Sequence, residues 1–255
     1  MSKKLPHTGL LPDSLPTAVL TCGDPDRAAY IAGFLQNSKP VARRREYHTY
    51  QGVYQGIPVA VCSHGIGAPG AAIAFEELIM AGARRLVRVG TCGSLQPHVQ
   101  PGHLVIATAA VQQTGYGREV MPDGYPAVAD FALTHKLCQA AQASDNHHHS
   151  GIILTRDAFF AGVSTPYTPN YAAQSAANVL AVEMECAALF LAGSLRQVQT
   201  GAILVVNGQV FAEAETTDTF NDHEAATAQA MVVGIKIALA AVTRPDGEED
   251  PHESG

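Results

Sequence analysis

The chain has no tryptophan, and only 15% of its 255 residues are charged. With 47% hydrophobic residues, this excludes an extended, self-repelling chain and leaves enough apolar side chains for a sizeable core. There is no basic excess either. The formal net charge is −7, so the electrostatic footprint of a nucleic-acid binder is missing. Residues 243–255 carry Asp246, Glu248, Glu249, Asp250 and Glu253 against Arg244, a balance of −4, which leaves the body near −3. This Pro/Gly/acid-rich tail is expected to be disordered, outside a single domain spanning residues 1–242.

No C-x-x-C pair occurs, and the five cysteines (Cys22, Cys62, Cys92, Cys138, Cys186) are odd in number. Both points favour free thiols in a reducing cytoplasm over disulfides or zinc. The opening Met-Ser-Lys-Lys-Leu-Pro-His lacks the apolar segment of a signal peptide, and no apolar run is read as reaching transmembrane length. Neither export nor a membrane partner is expected. His147-His148-His149 offers metal-binding side chains, but without further spaced ligands no metal site is expected. Gly65-Ile66-Gly67 lacks the third glycine of a dinucleotide fingerprint, which argues against NAD.

What the chain does have is alternation of short apolar strands with helical stretches. Strands are expected at 17–22, 84–90, 103–111, 151–155, 179–182 and 201–206, and a hairpin at 47–62 turning at Gln55-Gly56. Helices are expected at 28–35, 71–80, 127–143, 168–177 and 223–242. The segment 59–90 reads as a βαβ unit, hence parallel strands. The pattern predicts one α/β domain, a three-layer sandwich whose central, mostly parallel mixed sheet is flanked by helices.

Unusual residues fall where strands end, which is where open α/β sheets bind ligands. The run Leu86-Val87-Arg88-Val89-Gly90-Thr91-Cys92-Gly93-Ser94 sets an arginine inside an apolar strand and then, on this reading, breaks into a small-residue turn. A buried arginine needs an anion, supplied either by a ligand or by a buried carboxylate. Gly23-Asp24-Pro25-Asp26-Arg27 is a second strand–turn–helix candidate for anion binding. Arg43-Arg44-Arg45 reads on its own as a solvated face. Phe159-Phe160 is either core or a wall for a flat ligand. Glu183 and Glu185 either cap the helix they enter or reach a ligand's hydroxyls.

As an ordered set, these segments resemble the nucleoside phosphorylase family of hexameric purine nucleoside phosphorylases and uridine phosphorylases. The matching pieces are Gly23-Asp24-Pro25-Asp26-Arg27, Arg45-Glu46-Tyr47, Ser63-His64-Gly65-Ile66-Gly67, Phe75-Glu76-Glu77-Leu78, Arg88-Val89-Gly90-Thr91-Cys92-Gly93-Ser94-Leu95-Gln96-Pro97 and Val182-Glu183-Met184-Glu185. The wording Gly90-Thr91-Cys92-Gly93-Ser94-Leu95-Gln96-Pro97 and Ile203-Leu204-Val205-Val206-Asn207-Gly208 looks nearest to the apicomplexan purine nucleoside phosphorylases. The resemblance implies phosphorolysis, in which inorganic phosphate, as co-substrate, attacks C1′ of a nucleoside and the base leaves. No cofactor is implied.

By the same resemblance, Gly23, Arg27, Arg45, Arg88 and Thr91 hold phosphate, a task suited to arginine's planar fork. His7, Glu183, Met184 and Glu185 hold the ribose. Cys92, Gly93, Phe159, Val182 and Asn207 face the base, and Arg88, Glu185 and Asn207 carry the catalysis. His7 and Arg45 are implied to act across an interface, in a homo-oligomer of the hexamer-of-dimers kind. Two positions depart from the family. Asn207 stands where many purine-specific relatives have an aspartate. Gly162-Val163-Ser164 stands where uridine phosphorylases carry a Gln-x-Arg pair, and no substitute arginine is evident nearby in the sequence. Together these favour inosine or guanosine, with uridine as the alternative. A nucleosidase and a non-catalytic nucleoside-binding protein are the further rivals.

Overall fold

The computed structural model describes residues 3–160, 171–210 and 224–245. Gly162-Val163-Ser164 and the acidic tail beyond 245 therefore lie outside the described residues. In chain order the strands are β1 (Ala18–Cys22), β2 (Gln36–Arg44), β3 (Tyr47–Tyr54), β4 (Ile57–Ser63), β5 (Arg85–Ser94), β6 (Leu104–Gln113), β7 (Ala127–Val128), β8 (His148–Arg156), β9 (Ala181–Glu183) and β10 (Gln199–Gln209). The helices are α1 (Pro25–Ala32), α2 (Ala68–Met80), α3 (Gly115–Val120), α4 (Phe131–Gln142), α5 (Tyr171–Ala176), α6 (Cys186–Arg196) and α7 (Glu224–Thr243).

Among the described residues the ten strands belong to one mixed sheet. β4, β1, β5 and β10 lie side by side and parallel, with the β2–β3–β4 meander antiparallel at one edge. At the other side β10 also pairs with β6, which continues through β8 and β9 back to β5. That second route closes β5, β9, β8, β6 and β10 into a ring. The mixed, helix-flanked sheet of the sequence reading is present, with five parallel and five antiparallel pairings.

The layers follow from where the apolar faces go. One face buries Phe75, Leu78, Leu189 and Phe190 from α2 and α6 against Leu86 and Leu204. The other buries Ile31, Leu133, Leu137, Ile235 and Leu239 from α1, α4 and α7 against Leu20, Val87 and Val205. By length and composition α7 would pass as a membrane-crossing helix, which corrects the reading that no such stretch exists. Its Ile235, Ala238, Leu239 and Val242 are instead packed into this second layer.

Several element boundaries differ from the sequence expectation, each for a local reason. The first helix starts at Pro25 because the Asp24 carboxylate accepts the N–H of Asp26 and proline suits the first turn. The expected helix over 127–143 is split. β7 precedes Asp130, whose side chain accepts the Leu133 N–H and starts α4 there. The loop expected at 112–125 contains α3, begun by Thr114 accepting from Gly117. β2 carries no alternation because it is an exposed edge strand with Pro40 inside it. The turn expected at Gly90-Thr91-Cys92-Gly93 is strand, since β5 runs on to Ser94 paired with β10 and β9.

Candidate active site

A cavity of about 660 Å³ opens at the carboxyl ends of β1, β5 and β10. That is a fitting volume for one small molecule. Its wall brings together Gly23, Arg27, Arg88, Thr91, Cys92, Gly93, Phe159, Val182, Glu183, Met184, Glu185 and Asn207, drawn from segments far apart in the chain. His7 and Arg45 are not in that wall.

Arg88 is the centre of the buried polar network. Its Nη2 lies 2.5 Å from Glu185 Oε2 and 3.2 Å from Glu183 Oε2, and its Nε donates to Glu183 Oε2 at 3.3 Å. The buried-carboxylate alternative for this strand arginine is thus present in the structure, and the guanidinium still reaches the cavity wall. Burial works against its charge, but Glu185 and Glu183 outweigh it and hold Arg88 more firmly protonated than usual. Nη1 contacts His64 Nε2 at 3.1 Å, while His64 Nδ1 lies 2.7 Å from the Gly65 carbonyl. A carbonyl only accepts, so Nδ1 carries the proton and Nε2 accepts from Arg88. Burial, then Arg88, push the His64 pKa well below its ordinary value, consistent with this neutral tautomer.

Gly90 is what lets the arginine lie there. A methyl group at Gly90 would sit 2.7–2.8 Å from Nη1, Nη2 and Cζ of Arg88. We expect Gly90→Ala to push the guanidinium off its carboxylates. In the phosphorolysis that the resemblance implies, the phosphate KM should rise on the order of tenfold or more, with about 1–3 kcal/mol of lost stability from overpacking. Steady-state kinetics and thermal melting of that variant check both effects. An unchanged phosphate KM would mean that the packed guanidinium is not needed for phosphate.

The two glutamates divide their work. Glu183 accepts from Thr155 Oγ1 at 2.5 Å and from the N–H groups of Glu185 and Cys186 at 2.8 and 3.0 Å, so it closes the start of α6. Glu185 has fewer donors: the Gly67 N–H at 2.7 Å and Arg88. Burial, with Glu183 adding and Arg88 opposing, leaves its pKa above the usual carboxylate range. Glu183 thus fits the capping reading, while Glu185 keeps lone pairs free in the cavity wall.

Around Gly93 the cavity wall carries several apolar side chains. Gly93 lies under Val210 and Val182, whose methyls would meet a built Cβ at 2.9 and 3.5 Å, and Phe159 and Tyr171 also line the cavity. The Cys92 thiol, buried here, is held well above its ordinary pKa by that burial, so it is no nucleophile. Asn207 is brought in by a β-bulge. Val206 pairs with Cys92 and Gly208 with Gly93, leaving Asn207 as the extra residue of β10. The expectation that the strand ends at Val206 is corrected accordingly.

Arg156, at the last position of β8, also lines this cavity. The sequence reading saw no arginine near the Phe159 loop because it ended the strand at Thr155. The signal was available, an arginine adjoining an apolar strand, as an arginine inside an apolar strand singles out Arg88. Glu46, Gly65, Ile66 and Tyr171 were likewise not foreseen as cavity residues.

His7 is tied down elsewhere. Its N–H and its Nδ1 bond Glu77 Oε1 at 3.0 and 2.7 Å, and Thr8 adds its own N–H and hydroxyl to the same carboxylate. Burial opposes the Glu77 charge, yet these Thr8 and His7 hydrogen bonds prevail and lower its pKa. Arg45 is exposed, in a left-handed backbone conformation (φ 54°), in the β2–β3 turn. Arg43 leans on Tyr50, with its Cζ 5.7 Å from the ring centroid. Among the described residues no group of three or more His, Cys, Asp or Glu is placed to hold a metal ion. All five cysteines are unpaired.

With this geometry in place, comparison with known proteins is decisive at the level of family. The model of the phosphorylase superfamily matches residues 17–243. The chain belongs to that superfamily. The uridine phosphorylase of Treponema pallidum is 39% identical over 244 residues, covering 92% of this chain and 92% of that protein. The guanosine phosphorylase of Halorubrum lacusprofundi is 35% identical, covering 94% of this chain and 98% of that protein. Among solved structures, the purine nucleoside phosphorylase of Toxoplasma gondii in complex with immucillin-H matches with a TM-score of 0.84 at 29% identity, over 95% of this chain and 96% of that one. Nucleoside phosphorylase activity is thereby supported as the reaction class, and these relatives divide between purine and uridine enzymes.

Proposed function

We propose that this chain cleaves the N-glycosidic bond of 6-oxopurine ribonucleosides, inosine and guanosine, with inorganic phosphate, releasing the base and ribose 1-phosphate. The observation that carries the choice of an oxo base over adenine is the cavity amide of Asn207 on its bulge. An amide donates a hydrogen bond but no proton. It therefore suits a base that leaves as a delocalised oxo-anion better than adenine, which depends more on protonation.

In this reading phosphate sits among the Gly23 backbone, Arg27, Arg88 and Thr91, with Arg45 supplied by a neighbouring subunit of a hexamer-like homo-oligomer. Three of Arg88's five N–H donors are committed to His64 and the glutamates, which leaves a second N–H on Nη1 for phosphate. Glu185 accepts from the ribose hydroxyls, Met184 packs on the sugar, Glu183 steadies both, and a neighbour's His7 reaches the 5′ end. Phe159 stacks on the base beside Val182, Cys92 and Gly93. The enzyme works in the cytoplasm without a cofactor. Arg27 and Arg88 together favour this over a nucleosidase, since water needs no cationic cradle.

Uridine is the second reading, favoured by the identity to the Treponema enzyme. One panel tests both. Inosine, guanosine, adenosine, uridine and thymidine are assayed with and without phosphate, on the wild type and on Asn207→Asp. Phosphate-dependent turnover led by inosine or guanosine is expected, with adenosine turnover rising on the order of tenfold in Asn207→Asp because a proton donor is restored. Turnover led by uridine would overturn the purine choice. Turnover without phosphate would replace the phosphorylase with a nucleosidase.

A further inference from the structure

We propose that Arg156 reads the base. Its guanidinium donates to a carbonyl oxygen of the bound base and balances the negative charge that the base acquires as it leaves. This rests on the phosphorolysis reading and deepens it by naming what selects oxo over amino bases.

Arg156 is buried, at 7% exposure, and lines the cavity. Arg88 has two carboxylates. Arg156 has none among the described residues, where its one hydrogen-bond partner is the neutral Tyr171 hydroxyl at 2.7 Å, with its Cζ 5.7 Å from that ring. A buried cation in contact with a ring and a hydroxyl alone is costly, and the cost is relieved when an anion or an anion-like oxygen arrives. One of its five N–H donors is taken by Tyr171, and the rest are available.

Its position assigns the oxygen to the base rather than to phosphate. Tyr171 packs with Leu154, Val179, Val210 and Val182. Val210 and Val182 are the residues that close over Gly93 in the cavity wall. The phosphate candidate Gly23 instead lies against Gly65 and His64, the histidine that accepts from Arg88.

The chemistry balances without a proton from the arginine. A phosphate oxygen forms the bond to C1′, and the C1′–N bond breaks with its electron pair moving into the base. The charge delocalises onto the base's carbonyl oxygen, against Arg156. The base anion then takes its proton from water. An amino group at the same ring position presents donors to a donor, so the same residue that helps an oxo base leave rejects an amino base.

The test uses Arg156→Ala and Arg156→Lys in the full chain, compared with wild type on inosine and adenosine. The expected result is a fall in kcat/KM for inosine on the order of 100-fold in Arg156→Ala. The inosine-to-adenosine preference should shrink at least about tenfold and the phosphate KM should stay within about twofold, with Arg156→Lys intermediate because it restores charge but not the fork. Unchanged inosine turnover, or an equal fall on both nucleosides, would overturn the assignment. A rise confined to the phosphate KM would move Arg156 to the phosphate and overturn it too. If the wild type prefers uridine, the purine reading fails, and Arg156 is judged by the same ratio for uridine over cytidine. Calorimetric titration with hypoxanthine and uracil gives a readout independent of turnover: roughly tenfold weaker binding in Arg156→Ala is expected, and unchanged binding would count against the proposal.

Discussion

Replacing Arg88 with alanine is expected to cut phosphate-dependent kcat/KM by about 1,000-fold or more and, separately, to destabilise the fold by about 3–5 kcal/mol. The two losses share one geometry. Arg88 compensates Glu183 and Glu185, both buried, so its removal strands two carboxylates. Glu183 keeps Thr155 and two backbone N–H groups, whereas Glu185 keeps only the Gly67 N–H. The penalty therefore falls mainly on Glu185, whose pKa burial already raises and Arg88, with the Gly67 N–H, restrains. An acid whose pKa is raised on folding favours the native state while protonated, and that contribution is lost as pH rises through the raised pKa. The melting-temperature gap between wild type and Arg88→Ala should thus widen as pH rises above the ordinary carboxylate range. Arg88→Met combined with Glu185→Gln should recover much of the stability and none of the activity, because it removes the charge and its partner together. Recovered activity in the double variant would show that Arg88 serves the fold and not the reaction.

Much of this site was legible because its residues sit where strands end, and strand ends show in a sequence as apolar runs that stop at Gly, Asn or a charge. Gly23, Val182-Glu183 and Asn207 show in that way, Arg88 shows as a charge interrupting an apolar strand, and all share one cavity. What was not legible depends on pairing between distant segments. The bulge at Asn207 exists only relative to Cys92 and Gly93 on β5, so nothing within 199–209 announces it. The closing of β5, β9, β8, β6 and β10 into a ring is likewise a property of five segments at once. β9 is three residues long and carries no periodicity of its own. Gly90 shows how a correct residue can suggest the wrong cause. It reads as the start of a turn, but it lies inside β5, where its missing side chain is the space that Arg88 occupies. Arg156 was missed because one residue's error in the end of β8 hid it from the wall it joins.

Glu185→Gln is expected to be nearly as damaging to turnover, although it keeps the shape of the side chain. The carboxylate accepts at both ends, from the Gly67 N–H at 2.7 Å and from Arg88 at 2.5 Å. An amide offers one oxygen and one NH2, so whichever way it turns, a donor faces a donor. One contact is lost, and with it the charge that holds Arg88 in place. A fall in kcat/KM of about 100- to 1,000-fold follows, the scale of removing a charged partner from a transition-state site. Because the variant loosens Arg88 as well as the ribose acceptor, the phosphate KM should rise too, and the preference for ribo- over 2′-deoxyribonucleosides should shrink. The pH profile separates this from a packing defect. Burial, reinforced by Glu183 and opposed by Arg88, raises the Glu185 pKa, so wild-type kcat/KM should climb with pH as the carboxylate forms and then level. In Glu185→Gln the group no longer titrates, so that acid limb should flatten across the pH range in which the variant stays folded, even though its melting temperature falls with the loss of the buried pair. An acid limb that persists unchanged in the variant would assign the titration to another group and take Glu185 out of the reacting site.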